Sequence, residues 1–334
     1  MTQLRVGLIG AGGIAGVHIA GWQQLGAQVS VYSRSGAVHL VQEYGVAEVD
    51  SLDALLAASD LVSILTPTTT HHHYAMAAIA AGKDVMCEKP LAESVTRAAE
   101  IVNAAQAAGV RLFPAHVVRF FPEYVQAKER LDQGLFGAAQ VVRLSRASAA
   151  PAAGSWFFNE GLAGGIVRDQ MIHDLDQARW LAGEVVQVEA LQDPRTVNGV
   201  VPRPVTAKVF LTHESGAVSL LQGEWGPDSM PFHTSIAVEG DAGMWRFPLP
   251  VAAADDGAAE DTVGGQLPVQ SPADSPYTLQ IAEFAAALAT GSPSRVSPLD
   301  GVMAVALAEA AYASIASGEP VEFSAAEVAG LLAH

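Results

Sequence analysis

The first fifteen residues restrict what this chain can fold into more than any other stretch. Residues 4–9 form an apolar run of strand length. Gly10-Ala11-Gly12-Gly13-Ile14-Ala15 follows at once, and a helical stretch then continues to about Leu25. In that setting each small residue has a distinct role. Gly10 permits the tight turn out of the strand, Gly12 lets the main chain approach a pyrophosphate, and Ala15 keeps helix and strand close. A plain glycine-rich turn is the bland alternative, and the placement between strand and helix at the head of the chain argues against it.

The alternation then continues. Helices are expected over 37–44, over 51–58 with Ser51 as N-cap, over the stretch ending at Ala81-Gly82, and over 94–108 with Ser94 as N-cap and Gly109 closing. Strands are expected over 28–32, 60–65, 84–87 and 110–115. Strands alternating with helices predict a doubly wound parallel sheet with right-handed crossovers. The alternation stops after Ala115, and His116 to Pro122 reads as a hinge. At 334 residues the chain exceeds one ordinary core. Two domains are therefore expected, a dinucleotide-binding domain at 1–118 and a second at 119–334.

In the second half, strands at 139–145, 185–191, 205–212, 217–226, 233–239 and 243–247 follow one another with little helix between the last five. That pattern predicts a large mixed, mostly antiparallel sheet. One face should carry a helix holding Asp169 and His173, and the other, if open, is the expected subunit contact. Residues 248–276 read as a long mobile loop, with Asp255, Asp256, Glu260 and Asp261 as a solvated run and not a calcium site. Two helices, 277–289 and 301–317, complete the chain.

A net charge of −17 and a pI near 4.8 argue against nucleic acid or an anionic membrane as partner. A single cysteine, Cys87, excludes an intramolecular disulfide framework, suits a reducing cytosol and reads as a buried bystander. No leader sequence is read ahead of residue 4, and no apolar run is expected to be long enough to span a bilayer, so a cytoplasmic location is the expectation.

The chemistry concentrates in two stretches. Glu88-Lys89-Pro90 follows an apolar strand, which puts a lysine at the carboxyl end of a parallel strand, facing the crevice where such sheets bind ligands. Gly164-Gly165 leads into Asp169 and His173; in one helix these would lie a turn apart on one face, with Asp176 three positions on. A lysine, a histidine and a carboxylate are the parts needed to oxidise an alcohol or reduce a ketone. His173 would act as general base, Lys89 would stabilise the alkoxide and Asp169 would position substrate or tune the histidine. Arg119, Arg168, Trp156 and Trp225 could contact substrate, and each could equally serve packing or surface. The slot about 20 residues past the glycines, where an NAD-preferring site carries an acid, holds Ser33 and Arg34. Donors without a carboxylate predict NADP(H) as cofactor, with NAD possible. His71-His72-His73 follow Thr66-Pro67. Adjacent histidines fan around a helix, so no metal is expected, and His71 should lie nearest the cofactor.

These stretches in this order resemble the Gfo/Idh/MocA oxidoreductase family, which includes glucose–fructose oxidoreductase and inositol dehydrogenase. The resemblance rests on Gly10 to Ala15, Thr66-Pro67 with His71, Ala81-Gly82-Lys83 running into Glu88-Lys89-Pro90, and Gly164-Gly165 with Asp169 and His173. It implies an N-terminal Rossmann domain, a C-terminal α/β domain with a large open mixed sheet that makes dimers or tetramers, and a substrate site lined by Lys89, Asp169 and His173. Expected cofactor contacts are Gly10, Gly12, Gly13, Ile14, Ser33, Arg34, Thr66, Pro67, His71, Glu88 and Lys89. The implied substrate is a sugar, a cyclitol or a related carbonyl compound. The chain departs from the family pattern at the missing acid after the second strand, at Asp84 and at Met171. An NAD-dependent inositol-type dehydrogenase and a non-catalytic dinucleotide-binding regulator on the same fold are the alternatives.

Overall fold

The computed structural model of the chain describes residues 3–248 and 275–332. The chain divides into two units, one of Met1–Phe120, Val269–Val302 and Gly330–His334, the other of Phe121–Pro268 and Met303–Ala329. The boundary expected at 118 falls two residues from the end of the first segment, after which the chain returns to that unit with a later helix. The acids Asp255, Asp256, Glu260 and Asp261 lie outside the described residues.

The first unit is built from β1 (Arg5–Ile9), α1 (Ala15–Gln24), β2 (Gln28–Tyr32), α2 (Val38–Tyr44), β3 (Ala47–Glu48), α3 (Leu52–Ala58), β4 (Leu61–Ile64), α4 (His71–Ala80), β5 (Asp84–Glu88), α5 (Val95–Ala108) and β6 (Leu112–Ala115). The six strands form one parallel sheet in the order β3-β2-β1-β4-β5-β6. Central strands read as apolar runs because helices cover both faces of such a sheet, and β4 is buried along its whole length. Ser51 and Ser94 accept from the backbone amides three residues on, as N-caps do. β3 has no apolar run to announce it: Ala47 and Glu48 are both exposed.

The second unit begins with α6 (Pro122–Asp132), β7 (Ala139–Ala149), α7 (Glu160–Ala163), α8 (Gly165–Asp169) and α9 (Ile172–Ala182). It continues through β8 (Val185–Asp193), β9 (Val205–His213), β10 (Val218–Gly226), β11 (His233–Gly240) and β12 (Met244–Phe247). After α10 (Pro276–Thr290) and α11 (Pro298–Ser317), the chain adds β13 (Val321–Glu322) and ends the described residues with α12 (Ala325–Ala329). The sheet order is β12-β11-β7-β10-β9-β8-β13, antiparallel at every pair except β7 with β10.

α10 belongs to the first unit, where Ile281 and Phe284 join the core formed by Leu8, Ile19, Trp22 and Phe113. The Phe284 ring stacks on Phe113 with centroids 4.8 Å apart. Contrary to the sequence expectation, α11 is long and apolar enough to cross a membrane by length and composition, and most of it is buried. Asp300 and Glu309 interrupt it, so no long continuous apolar run shows in the sequence.

In the second unit α9 is fastened to the sheet by a buried ion pair. Arg146 on β7 donates through Nε and Nη2 to the two carboxylate oxygens of Asp174, at 3.1 and 3.0 Å, with side chains 2% and 0% exposed. Tyr124 on α6 accepts from Arg146 at 3.4 Å and meets Thr234 Oγ1 on β11 at 2.6 Å. Burial, more than the nearby charges, pushes the Tyr124 phenol up to about 12. Removing one partner leaves an uncompensated buried charge. Asp174→Ala should therefore destabilise the protein by about 3–5 kcal/mol, measurable as a shifted midpoint in chemical denaturation.

Candidate active site

The head of α1 fits a dinucleotide pyrophosphate. Gly10 has φ +111°, and a Cβ there would meet the Leu65 carbonyl oxygen at 2.9 Å. Its amide donates to the Tyr32 carbonyl at 2.9 Å, so the turn runs between the ends of β2 and β4. A Cβ built on Gly12 meets nothing within 4 Å. Open space in front of that backbone is the room an approaching phosphate needs. Ala15 is fully buried, and Ile14 is the half-buried N-cap of α1.

At the end of β2, Ser33 is half-buried and Arg34 and Ser35 are exposed. The Ser33 hydroxyl accepts from the Ser35 amide at 3.3 Å, which tightens the turn. Sequence reasoning missed Glu48: from β3 its Oε1 accepts from the Ala37 amide at 2.8 Å. A carboxylate thus stands at this turn after all, supplied by the neighbouring strand.

Beyond β4 the chain turns through Thr66-Pro67 into α4. The Thr70 hydroxyl donates toward Thr66 Oγ1 at 2.7 Å and the Pro67 carbonyl at 2.8 Å. His71 is 1% exposed, with Nδ1 2.7 Å from the Pro90 carbonyl oxygen and Nε2 2.7 Å from the Thr66 carbonyl oxygen. Its ring therefore joins the loops after β4 and β5. Carbonyls only accept, so both bonds at once need the protonated ring. Burial opposes that charge and lowers the His71 pKa, against the raising influence of the two carbonyls and Glu88. His72 faces Glu100 at 2.7 Å and the His73 ring meets Tyr74 edge-on, so the three imidazoles diverge. Among the described residues, no group of three or more His, Cys, Asp and Glu side chains is placed to hold a metal.

Glu88 ends β5, and Lys89 emerges half-buried at its carboxyl end. The Glu88 carboxylate, 9% exposed, turns inward to His18 on α1, at 3.0 Å from Nε2. Burial pushes its pKa up, but the His18 hydrogen bond and the charges of His18 and Lys89 hold it below the usual carboxylate value. A histidine three positions past Ala15, on the buried face of α1, was the signal available for this contact. Cys87 is buried, and desolvation raises its thiol pKa well above normal, which leaves it inert.

In the second unit the stretch expected as one helix is two. Gly164 and Gly165 both have positive φ, and a Cβ at Gly165 would meet the Tyr312 hydroxyl at 2.8 Å. α8 stops at Asp169, where the Gln170 and Met171 amides both reach the Ile166 carbonyl at 3.0 Å, and the Gln170 side chain donates to the Arg146 and Glu224 carbonyls, at 3.0 and 3.3 Å. Met171 lies over Gly223, where a Cβ would meet its Cγ at 2.4 Å. The spacing of Asp169 and His173 therefore spans a break: Asp169 is half-buried at the end of α8, and His173 is 7% exposed in the first turn of α9.

The two arginines and two tryptophans that could have contacted substrate have packing partners. Arg119 donates to the Arg295 carbonyl at 2.7 Å and pairs with Asp300 at 3.2 Å. The Arg168 guanidinium lies 5.3 Å from the Tyr312 ring centroid. Trp225 is 2% exposed, and Trp156, 36% exposed, stacks on Phe157.

The family profile described as an oxidoreductase family with NAD-binding Rossmann fold matches residues 4–116, and the GFO/IDH/MocA C-terminal domain matches residues 124–246. The chain is 28% identical over 341 residues to inositol 2-dehydrogenase of Klebsiella pneumoniae, covering 97% of this chain and 98% of that one. It is 31% identical over 224 residues to UDP-N-acetylglucosamine 3-dehydrogenase of Acidithiobacillus ferrooxidans, covering 66% and 67%. GenD2 from gentamicin A biosynthesis, solved in complex with NAD, superposes with TM-score 0.83 at 25% identity over 97% of each chain.

Two outcomes follow from this geometry. Gly12→Ala should leave the melting temperature nearly unchanged, because its methyl enters open space, while weakening dinucleotide binding at least about tenfold by titration. Because the folded His71 pKa lies below the unfolded one, the unfolded chain takes up the proton first as pH falls past about 6.5. Stability should drop between about pH 7 and pH 5, and His71→Asn should make that slope shallower in thermal melts.

Proposed function

The chain belongs to the Gfo/Idh/MocA oxidoreductase family, and from that premise we propose that it interconverts a secondary alcohol of a sugar or cyclitol and the matching ketone. The observation that carries this reading is Lys89 at the carboxyl end of β5, in the same parallel sheet whose β1–α1 turn carries the open glycine cradle. Gly10, Gly12, Gly13 and Ile14 would hold the pyrophosphate, Ser33 and Arg34 the adenosine ribose, and Thr66, Pro67, His71, Glu88 and Lys89 the nicotinamide end. His71 and Glu88 would contribute indirectly, through the loops and the Lys89 amide that they hold. When bound, the nicotinamide accepts or supplies the hydride.

The protein's own part is proton and charge management. His173 takes the proton from the substrate hydroxyl, or returns it in reduction, since an imidazole nitrogen can accept and release a proton. The Lys89 ammonium stabilises the alkoxide as it forms and orients the reacting oxygen. Asp169 positions substrate or tunes His173. The far face of the second unit's sheet, where Phe210 and Leu191 are 37% and 47% exposed, is the surface for a second copy of the chain.

On the cofactor, Ser33 and Arg34 support NADP(H), since they offer donors to a 2′-phosphate. A second reading, an NAD-linked inositol-type dehydrogenase, is supported by the Glu48 carboxylate at the same turn, because a fixed acid repels that phosphate. Titration with both reduced dinucleotides separates them. The first reading expects NADPH to bind more tightly, with Arg34→Ala weakening NADPH and leaving NADH nearly unchanged; equal affinities would sink it. For the chemistry, Lys89→Met and His173→Asn should each lower kcat by about 10²- to 10⁴-fold. Intact turnover in Lys89→Met would remove that assignment.

A further inference from the structure

Lys89 owes its position to its neighbours, and the nearest of these reach far back along the chain. Glu88 holds the Lys89 amide with Oε2 at 3.1 Å and His18 Nε2 with Oε1 at 3.0 Å. An ionised carboxylate only accepts, so Nε2 carries the proton. His18 is 0% exposed, and its other nitrogen, Nδ1, lies 3.3 Å from the hydroxyl of Ser63, itself fully buried on β4. The Tyr277 ring of α10 stands 6.2 Å away on another side. The chain of bonds runs from β4 through α1 to the end of β5, all within the first unit. Beyond the lysine, the Pro90 carbonyl is held by His71.

We propose that His18 is a positioning residue for Lys89, acting through the buried carboxylate of Glu88. The imidazole fixes where Glu88 stands, and Glu88 fixes the Lys89 backbone. Buried polar chains with every member bonded hold a single geometry, and one member removed leaves a neighbour unsatisfied. A small displacement of a catalytic group is costly, which is why such support matters for rate more than for ground-state binding. The same helix that presents its amino end to the dinucleotide thereby sets the register of the lysine.

The proposal rests on the reading of Lys89 as the group that stabilises the alkoxide, and the experiment separates the two. His18→Leu, His18→Gln, Glu88→Gln and Lys89→Met are compared with the parent protein. His18→Leu should lower kcat about 10- to 100-fold while the dinucleotide dissociation constant stays within about threefold. His18→Gln, whose amide can still donate to Glu88, should recover most of the loss. His18→Leu added to Lys89→Met should lower kcat no further. In the dinucleotide-free protein, acylation of Lys89 by an amine reagent, followed by mass spectrometry, should change several-fold in His18→Leu. Lys83, Lys128 and Lys208 serve as internal controls. If His18→Leu does not fold, Glu88→Gln carries the same comparison. Unchanged kcat and unchanged Lys89 acylation in His18→Leu or Glu88→Gln, with Lys89→Met inactive, overturns the proposal alone. A further loss from His18→Leu in the Lys89→Met background also overturns it. Full turnover in Lys89→Met removes its premise instead.

Discussion

The first unit depends on the reversal of strand order at β1. With β2 on one side of it and β4 on the other, the chain winds outward in opposite directions from the middle of the sheet. Loops at the carboxyl ends of β1 and β4 must then part, and that parting is the crevice in which doubly wound sheets bind ligands. Gly10 shows the constraint at atomic scale: its amide reaches Tyr32 on one flank, and a side chain on it would strike Leu65 on the other. Lys89 lies one strand further out. The fold thus supplies a crevice of the kind that takes a dinucleotide, and Lys89 follows a strand of the same sheet.

The second unit meets a different demand, because His173 belongs to a helix laid on a sheet. The Arg146–Asp174 pair ties α9 to β7 one residue from His173, and Gln170 ties the preceding break to β7 and β10. These polar groups are buried and therefore directional, whereas apolar packing alone would let α9 slide. The two positive-φ glycines at the start of α8, Gly164 and Gly165, let the chain enter this region under the Tyr312 hydroxyl.

The sequence announced whatever is encoded locally. The glycine turn, the Ser51 and Ser94 caps, the alternation of strands and helices, and the run of later strands each rest on neighbours within a few residues, and the family resemblance they suggested holds across both matched domains. Features set by distant partners were illegible. β3 is two exposed residues recognised only by pairing with β2. Gln170 and Met171 look helical until the Glu224 carbonyl and Gly223 claim their side chains. α10 joins the first unit through Ile281 and Phe284, which could have served either core. Glu48 and the partner of His18 were unreadable for the same reason: the bonds span 11 and 70 residues.

The central claim is that this chain oxidises and reduces a carbinol carbon. It is tested most directly by following nicotinamide absorbance with the purified protein against sugars, cyclitols and their ketones, with NADP(H) and NAD(H) in parallel. The account predicts turnover of at least one polyol–ketone pair with at least one dinucleotide. Tight dinucleotide binding with no turnover of any compound in that panel would contradict it and favour a regulator built on the same fold.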